Sequence, residues 1–176
     1  RRKRMVVQAG RHFLVRLEQL GGEAESFTLA QLSSSLRGCL GELFGELGLG
    51  SLATTLVLKH YCAGAAIFAV RAPRKHAPSV RAAIAAVRFV NKRPVRLSVI
   101  HAAGSKRTAR RAMLSRLEQT MAALEQKPTP AQLGLCEDTV LPAMPQSLLP
   151  TPVGSAMRDA LGDIRRVMRD LAAADD

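Results

Sequence analysis

From Gly104 to Arg111 the chain reads Gly-Ser-Lys-Arg-Thr-Ala-Arg-Arg, and this spacing suits the capture of a phosphate group. A helix opening at Gly104 or Ser105 would place Lys106 and Arg107 in its first turn, where the positive end of the macrodipole disfavours cations. Lys106 with Arg110, and Arg107 with Arg111, are like-charge pairs four residues apart, each costing about 0.2–0.5 kcal/mol in an isolated helix. A phosphate there reverses both signs: it accepts from free backbone N–H groups, meets the dipole and sits between guanidinium groups. Gly104, Ser105, Lys106, Arg107, Thr108, Arg110 and Arg111 are therefore the first candidate phosphate ligands.

These residues end a longer basic region. From Leu47 to Leu117 there are fourteen Lys and Arg and no Asp or Glu, although the chain carries fourteen acidic residues elsewhere. Segregated charge is a statement about partners, not about fold. With a net charge of +12 and a pI near 11, the partner expected is a polyanion, with RNA, DNA and an acidic membrane surface all open on charge alone, and Lys92, Arg93, Arg96, Arg74, Lys75 and Arg11 are further candidate phosphate contacts. Six to eight such contacts would give a log-log salt slope of roughly minus five.

Other chemistries fit less well. The basic region has no pair of carboxylates to hold a catalytic metal or act as a base, which removes the usual protein-nuclease designs. His60 and Cys62 alternate onto one strand face, but zinc needs two further ligands and neither His76 nor His101 is placed by sequence to supply them. Asn91 is the only Asn, and the glycine-rich phosphate loop of an acylphosphatase is missing between Arg11 and Leu20. His101, at a strand end, suits a polar loop contact better than a general base. Neither a metal nor a cofactor bound by the protein is expected.

The elements that must position the basic residues can be read from periodicity. Phe13, Val15 and Leu17 alternate as in a half-buried strand. Thr28 with Gln31 makes a capping box, followed by Leu29, Leu32, Leu36, Leu40, Leu43 and Leu47 at helical spacing, with Gly48 and Gly50 as the stop. Leu52 to Tyr61 and Ala65 to Arg71 suit two strands of a hairpin. A second helix starts near Pro78, a strand runs from Val95 to His101, and a long helix begins at Gly104-Ser105 with Met113, Leu117, Met121 and Leu124 as its stripe.

This order, βαββαβα, predicts an α+β, ferredoxin-like or RRM-like sandwich: a four-stranded antiparallel sheet with helices packed on one face, over residues 1–127. Residues 128–153 form a Pro-rich extension, and residues 154–174 an amphipathic C-terminal helix whose apolar face needs a cover, either this domain or, favoured slightly, a neighbouring subunit. An RRM that stacks bases carries several aromatics on its central strands; the segment Ala65 to Arg71 has only Phe68, so backbone and shape recognition is expected.

Three widely spaced cysteines, Cys39, Cys62 and Cys136, suit reduced thiols inside a cell. No apolar run approaches a membrane span, and no membrane partner is expected. The opening Arg1-Arg2-Lys3-Arg4 suits a nuclear localisation signal, another phosphate-binding arm or the remnant of an organellar transit segment.

The run His101-Ala-Ala-Gly104-Ser-Lys-Arg107-Thr108 between a strand and a helix resembles the His-x-Gly-Gly-Thr-x-Arg-Thr signature of the small POP-five/Rpp-fourteen type protein subunit of ribonuclease P and ribonuclease MRP. Arg11-His-Phe-Leu-Val15 resembles that family's first strand, and Leu43-Phe-Gly-Glu46 the end of its first helix. Ala103, Ser105 and Lys106 depart from the signature, and the resemblance covers Arg11 to Leu124. It implies a noncatalytic subunit, nuclear or nucleolar, that pairs with a TIM-barrel-like protein and stabilises the ribonuclease P or MRP RNA. In that family the RNA, with its own magnesium, cleaves precursor-tRNA 5′ leaders or precursor rRNA. Two alternatives remain beside it: a ribosomal or other ribonucleoprotein component of RRM-like fold, and a small ferredoxin-like enzyme acting on an anionic substrate.

Overall fold

The Thr28–Gln31 capping box forms as the sequence predicts. In the computed structural model, which describes residues 10–21, 26–125 and 153–173, Thr28 Oγ1 accepts from the Gln31 backbone N–H at 3.3 Å, and the Thr28 N–H donates to Gln31 Oε1 at 2.8 Å. Helix α1 (Leu29–Ala53) follows and buries Leu32, Leu36 and Leu40. Thr28→Ala should cost about 1 kcal/mol, a fall in Tm of about 2–4 °C for a chain of this size. Thermal denaturation followed by circular dichroism checks it.

Helix α1 does not stop at Gly48. It kinks at Gly45, whose φ of 69° is open to glycine at little steric cost, and runs on to Ala53. The expected strand from Leu52 therefore starts later, and Leu52 instead closes the helix as a buried core residue. Strand β2 (Val57–Cys62) and strand β3 (Ile67–Pro73) form the predicted hairpin. A single 3-10 turn (Arg74–His76) leads into α2 (Ala77–Ala86), with Pro78 in its first turn.

Two further strands follow where one was expected. Phe89–Val90 (β4) pairs with the start of β5 (Arg93–Ala103) across Asn91-Lys92. Both turn residues have positive φ, 50° and 63°, the geometry of the two-residue hairpin turn whose twist matches that of its strands. Helix α3 (Lys106–Glu125) and helix α4 (Val153–Ala173) complete the chain. The Arg1–Arg4 cluster and the Pro-rich segment up to residue 152 lie outside the described residues.

With β1 (Gly10–Gln19) central, the sheet order is β2-β3-β1-β5-β4, antiparallel throughout. This is the expected α+β, ferredoxin-like sheet with one short strand added at its margin. The helices, however, do not share one face. Phe13, Val15 and Leu17 point with Phe68 and Val70 into a core under α1 and α2, whereas Leu14, Cys62 and Ile67 point the other way, against Met113 and Leu117 of α3 and Ile164, Val167 and Leu171 of α4. The apolar face of helix α4 thus lies on its own domain. Asp163 Oδ2 accepts from the Gly64 N–H at 3.2 Å, and the apolar stripe of α4 is long enough to finish the second core.

Candidate nucleic-acid interface

Ser105 is the N-cap of α3. Its Oγ accepts from the Thr108 N–H at 3.1 Å and lies 2.9 Å from Thr108 Oγ1. One of the N–H groups expected to be free for a phosphate is therefore already bonded to the chain. What the helix start does offer is charge, divided by helical geometry onto two sides. Lys106 and Arg110 lie one turn apart and, with Ala109 and Met113, face the sheet; Arg107 and Arg111, also one turn apart, are exposed.

The register of the strands sorts the remaining cations. His12 pairs with Ala103 on one side and with Arg71 on the other, and Gly10 pairs with Pro73. Arg11, Arg71, Arg74 and Lys75 are therefore at the same end of the sheet as Gly104 to Arg111. A methyl group at Gly104 would lie 3.3 Å from Arg11 Nη1, so that guanidinium rests against the loop. Lys92 and Arg93 are at the opposite end of β5, and ten residues at ~3.3 Å per residue separate Arg93 from Ala103 by about 33 Å. Arg96, near them, stands across from Glu18. The thirteen residues singled out from sequence do not form one patch: Lys92, Arg93 and Arg96 stand apart from the rest.

Between β2, β3 and α3 lies a groove of about 570 Å³. Its floor is the sheet, where Lys59 pairs with Ala69, Val57 with Arg71, and His12 lies beside Arg71. Lys106, Ala109, Arg110 and Met113 make the wall, and Leu171 of α4 contributes to the lining. His60 reaches the groove through a bulge: His60 and Tyr61 together stand against one residue of β3, and His60 adopts φ 55°. Histidine tolerates the left-handed region better than most residues, and bulges re-aim side chains.

Among the described residues none that lines the groove is acidic, and the groove's electrostatics show this. Burial lowers the pKa of His12, and Arg71, Lys106 and Lys59 lower it further. Burial likewise lowers that of His60, helped by Arg110, Lys59 and Lys106, with only Asp170 of α4 opposing. Both imidazoles are thus held toward the neutral form. Cys62, expected on the same strand face as His60, points into the core instead, where burial foremost, then Asp163, pushes its thiol up to about 11, so the thiolate a zinc ion needs is disfavoured.

Sequence reasoning missed Lys59, Arg71, His12 and His60 as members of the basic cluster. A signal was present: Val57 and Lys59 alternate with the face carrying Leu58, as Ala69 and Arg71 do with that of Val70. It went unused because the second face of the sheet was expected to be open.

The chain is similar to known proteins over the region that holds this loop. The ribonuclease P/MRP protein subunit POP5 of Schizosaccharomyces pombe is 29% identical over 91 residues, which are 52% of this chain and 66% of that protein, just under two thirds of its length. A chain in the cryo-EM structure of yeast ribonuclease MRP superposes with a TM-score of 0.48 at 11% identity, covering 67% of this chain and 98% of the other. Residues 11–114, well over half of the 176, match the Rpp14/Pop5 family, and the chain belongs to that family.

Proposed function

We infer that the chain is a noncatalytic protein subunit of a ribonuclease P or ribonuclease MRP particle, holding the phosphate backbone of the particle's RNA. Its family membership supports the particle, and the observation that carries RNA contact is the convergence of Arg11, Arg71, Arg74, Lys75 and the start of α3 at one end of the sheet. Magnesium belongs, in this reading, to the RNA that performs cleavage of precursor-tRNA 5′ leaders or of precursor rRNA. The protein resides in the nucleus, with a nucleolar fraction, and meets a TIM-barrel-like subunit as its protein neighbour.

The two-faced packing favours backbone recognition over base stacking. The sheet face that an RRM offers to unstacked bases is occupied here by α3 and α4. Affinity purification of the tagged protein from its own cells, sequencing of the bound RNA and a precursor-tRNA cleavage assay on the eluate test the reading. One abundant structured RNA with 5′-leader cleavage is expected for ribonuclease P; the same recovery with other cleavage specificity indicates MRP. Ribosomal RNA alone, or no RNA, would refute both.

A further inference from the structure

We propose that the groove between β2, β3 and α3 seats one nucleotide of the bound RNA strand, its phosphodiester among Lys59, His60, Arg71 and Lys106 and its sugar and base against Val57, Ala69 and Ala109. This rests on the RNA-binding reading and specifies a second contact, distinct from the exposed Arg107–Arg111 side of α3.

Three observations carry it. Among the described residues every ionisable side chain lining the groove is a Lys, an Arg or a His, contributed by three strands and one helix, so an anion is the charged ligand it suits. Its volume of about 570 Å³ falls in the range of small-molecule sites and exceeds what a phosphate alone requires; the apolar lining suits the remainder of a nucleotide. Finally, His60 is held in a left-handed backbone conformation by a strand bulge and lines the site, and strain of that kind gathers where a side chain must be placed.

Binding should take up protons. In the free protein His12 faces Arg71, Lys106 and Lys59, and His60 faces Arg110, Lys59, Lys106 and the opposing Asp170, which together with burial lower both pKa values. A phosphodiester among these cations offsets them and raises both pKa values, so the complex binds more protons than its parts. Affinity then increases as pH falls through the pKa of the bound state and levels off below that of the free state. The phosphodiester stays singly charged throughout, and the histidines alone report.

The full chain should be titrated with the dinucleotide UpU, followed by two-dimensional NMR. Between about pH 7.5 and about pH 5.5 the affinity is expected to increase roughly tenfold. His12→Gln with His60→Asn removes the titration, and Asn preserves the left-handed backbone at residue 60; this variant should bind with a flat pH profile. Lys59→Met with Arg71→Met should lose UpU while retaining wild-type melting. Absence of UpU binding, or an unchanged pH profile in the histidine variant, overturns the proposal, as does UMP binding tenfold tighter than UpU near neutral pH, which would make the ligand a free nucleotide. Structured RNA provides the separating arm. If Arg107→Ala with Arg111→Ala loses RNA but the Lys59/Arg71 variant holds it as wild type does, the groove assignment fails alone; if wild type binds UpU but no structured RNA, the subunit reading fails and the nucleotide site stands.

Discussion

Protein carrying Arg107→Ala and Arg111→Ala together is expected to bind structured RNA roughly 100-fold more weakly than wild type near physiological salt, at about 1.5 kcal/mol for each charge-assisted hydrogen bond to phosphate removed. The log-log salt slope should become less steep by about two. Both side chains are exposed on the side of α3 that faces away from the groove, and neither lines a core. Their removal also relieves two unfavourable local terms: a like-charge pair with i,i+4 spacing and cations near the positive end of the helix. The double variant should therefore melt no lower than wild type, which separates weakened binding from impaired folding. Lys92→Ala with Arg96→Ala, both about 23 Å or more from Ala103 along β5 by strand geometry, is the matched charge control and should change affinity less than about threefold where RNA meets only the Gly104 end. Unchanged RNA binding in the Arg107/Arg111 variant would remove the start of α3 from the interface.

Gly64→Val is expected to destabilise the chain by about 3 kcal/mol or more. A Cβ at residue 64 would sit 2.4 Å from the Ala160 carbonyl oxygen and within 3 Å of two more backbone atoms of the same residue. Backbone cannot swing aside as a flexible side chain does, so the β2–β3 turn and α4 must part. Parting them also breaks the Gly64–Asp163 hydrogen bond and uncovers Ile164, Val167 and Leu171, now buried against Cys62, Ile67 and Met113. For a chain of this length the loss corresponds to a fall in Tm of about 6–12 °C. Truncation before Pro150 should cost a similar amount, and in the truncated protein Gly64→Val should be nearly neutral. Such non-additivity is what two changes acting on one interface produce. A full-length Gly64→Val protein melting as wild type does would show that α4 contributes little to stability where it lies.

Much of this architecture is legible in the residues. Thr28 and Gln31 mark a helix start because the cap is a local hydrogen-bond exchange, and Phe13, Val15 and Leu17 mark a strand because a period of two has one solution on a half-covered sheet. The loop at Gly104 to Thr108 is legible as a strand-to-helix junction for similar reasons. What escaped depends on distant parts of the chain. Strand β4 is two residues long, and its turn uses Asn91-Lys92 without the glycine that usually signals such a hairpin. The end of α1 was misjudged because Gly45 bends the helix and Leu52 finds a core site formed by other elements. The groove forms only once α3 and α4 cover the second face, so the alternation that sets Lys59 and Arg71 on that face read as the exposed side of an ordinary hairpin.

The bulge at His60 also bears on how the sheet meets other molecules. Strand β2 forms one margin of the sheet. There the bulge interrupts the run of outward N–H and C=O groups, with the exposed Lys59 just before it. A margin blunted in this way resists the addition of another chain edge to edge, and so resists aggregation. At the other margin the two-residue β4 covers only Arg93 and Pro94 of β5, so any strand added to the sheet would have to meet it along β5 and not along β2.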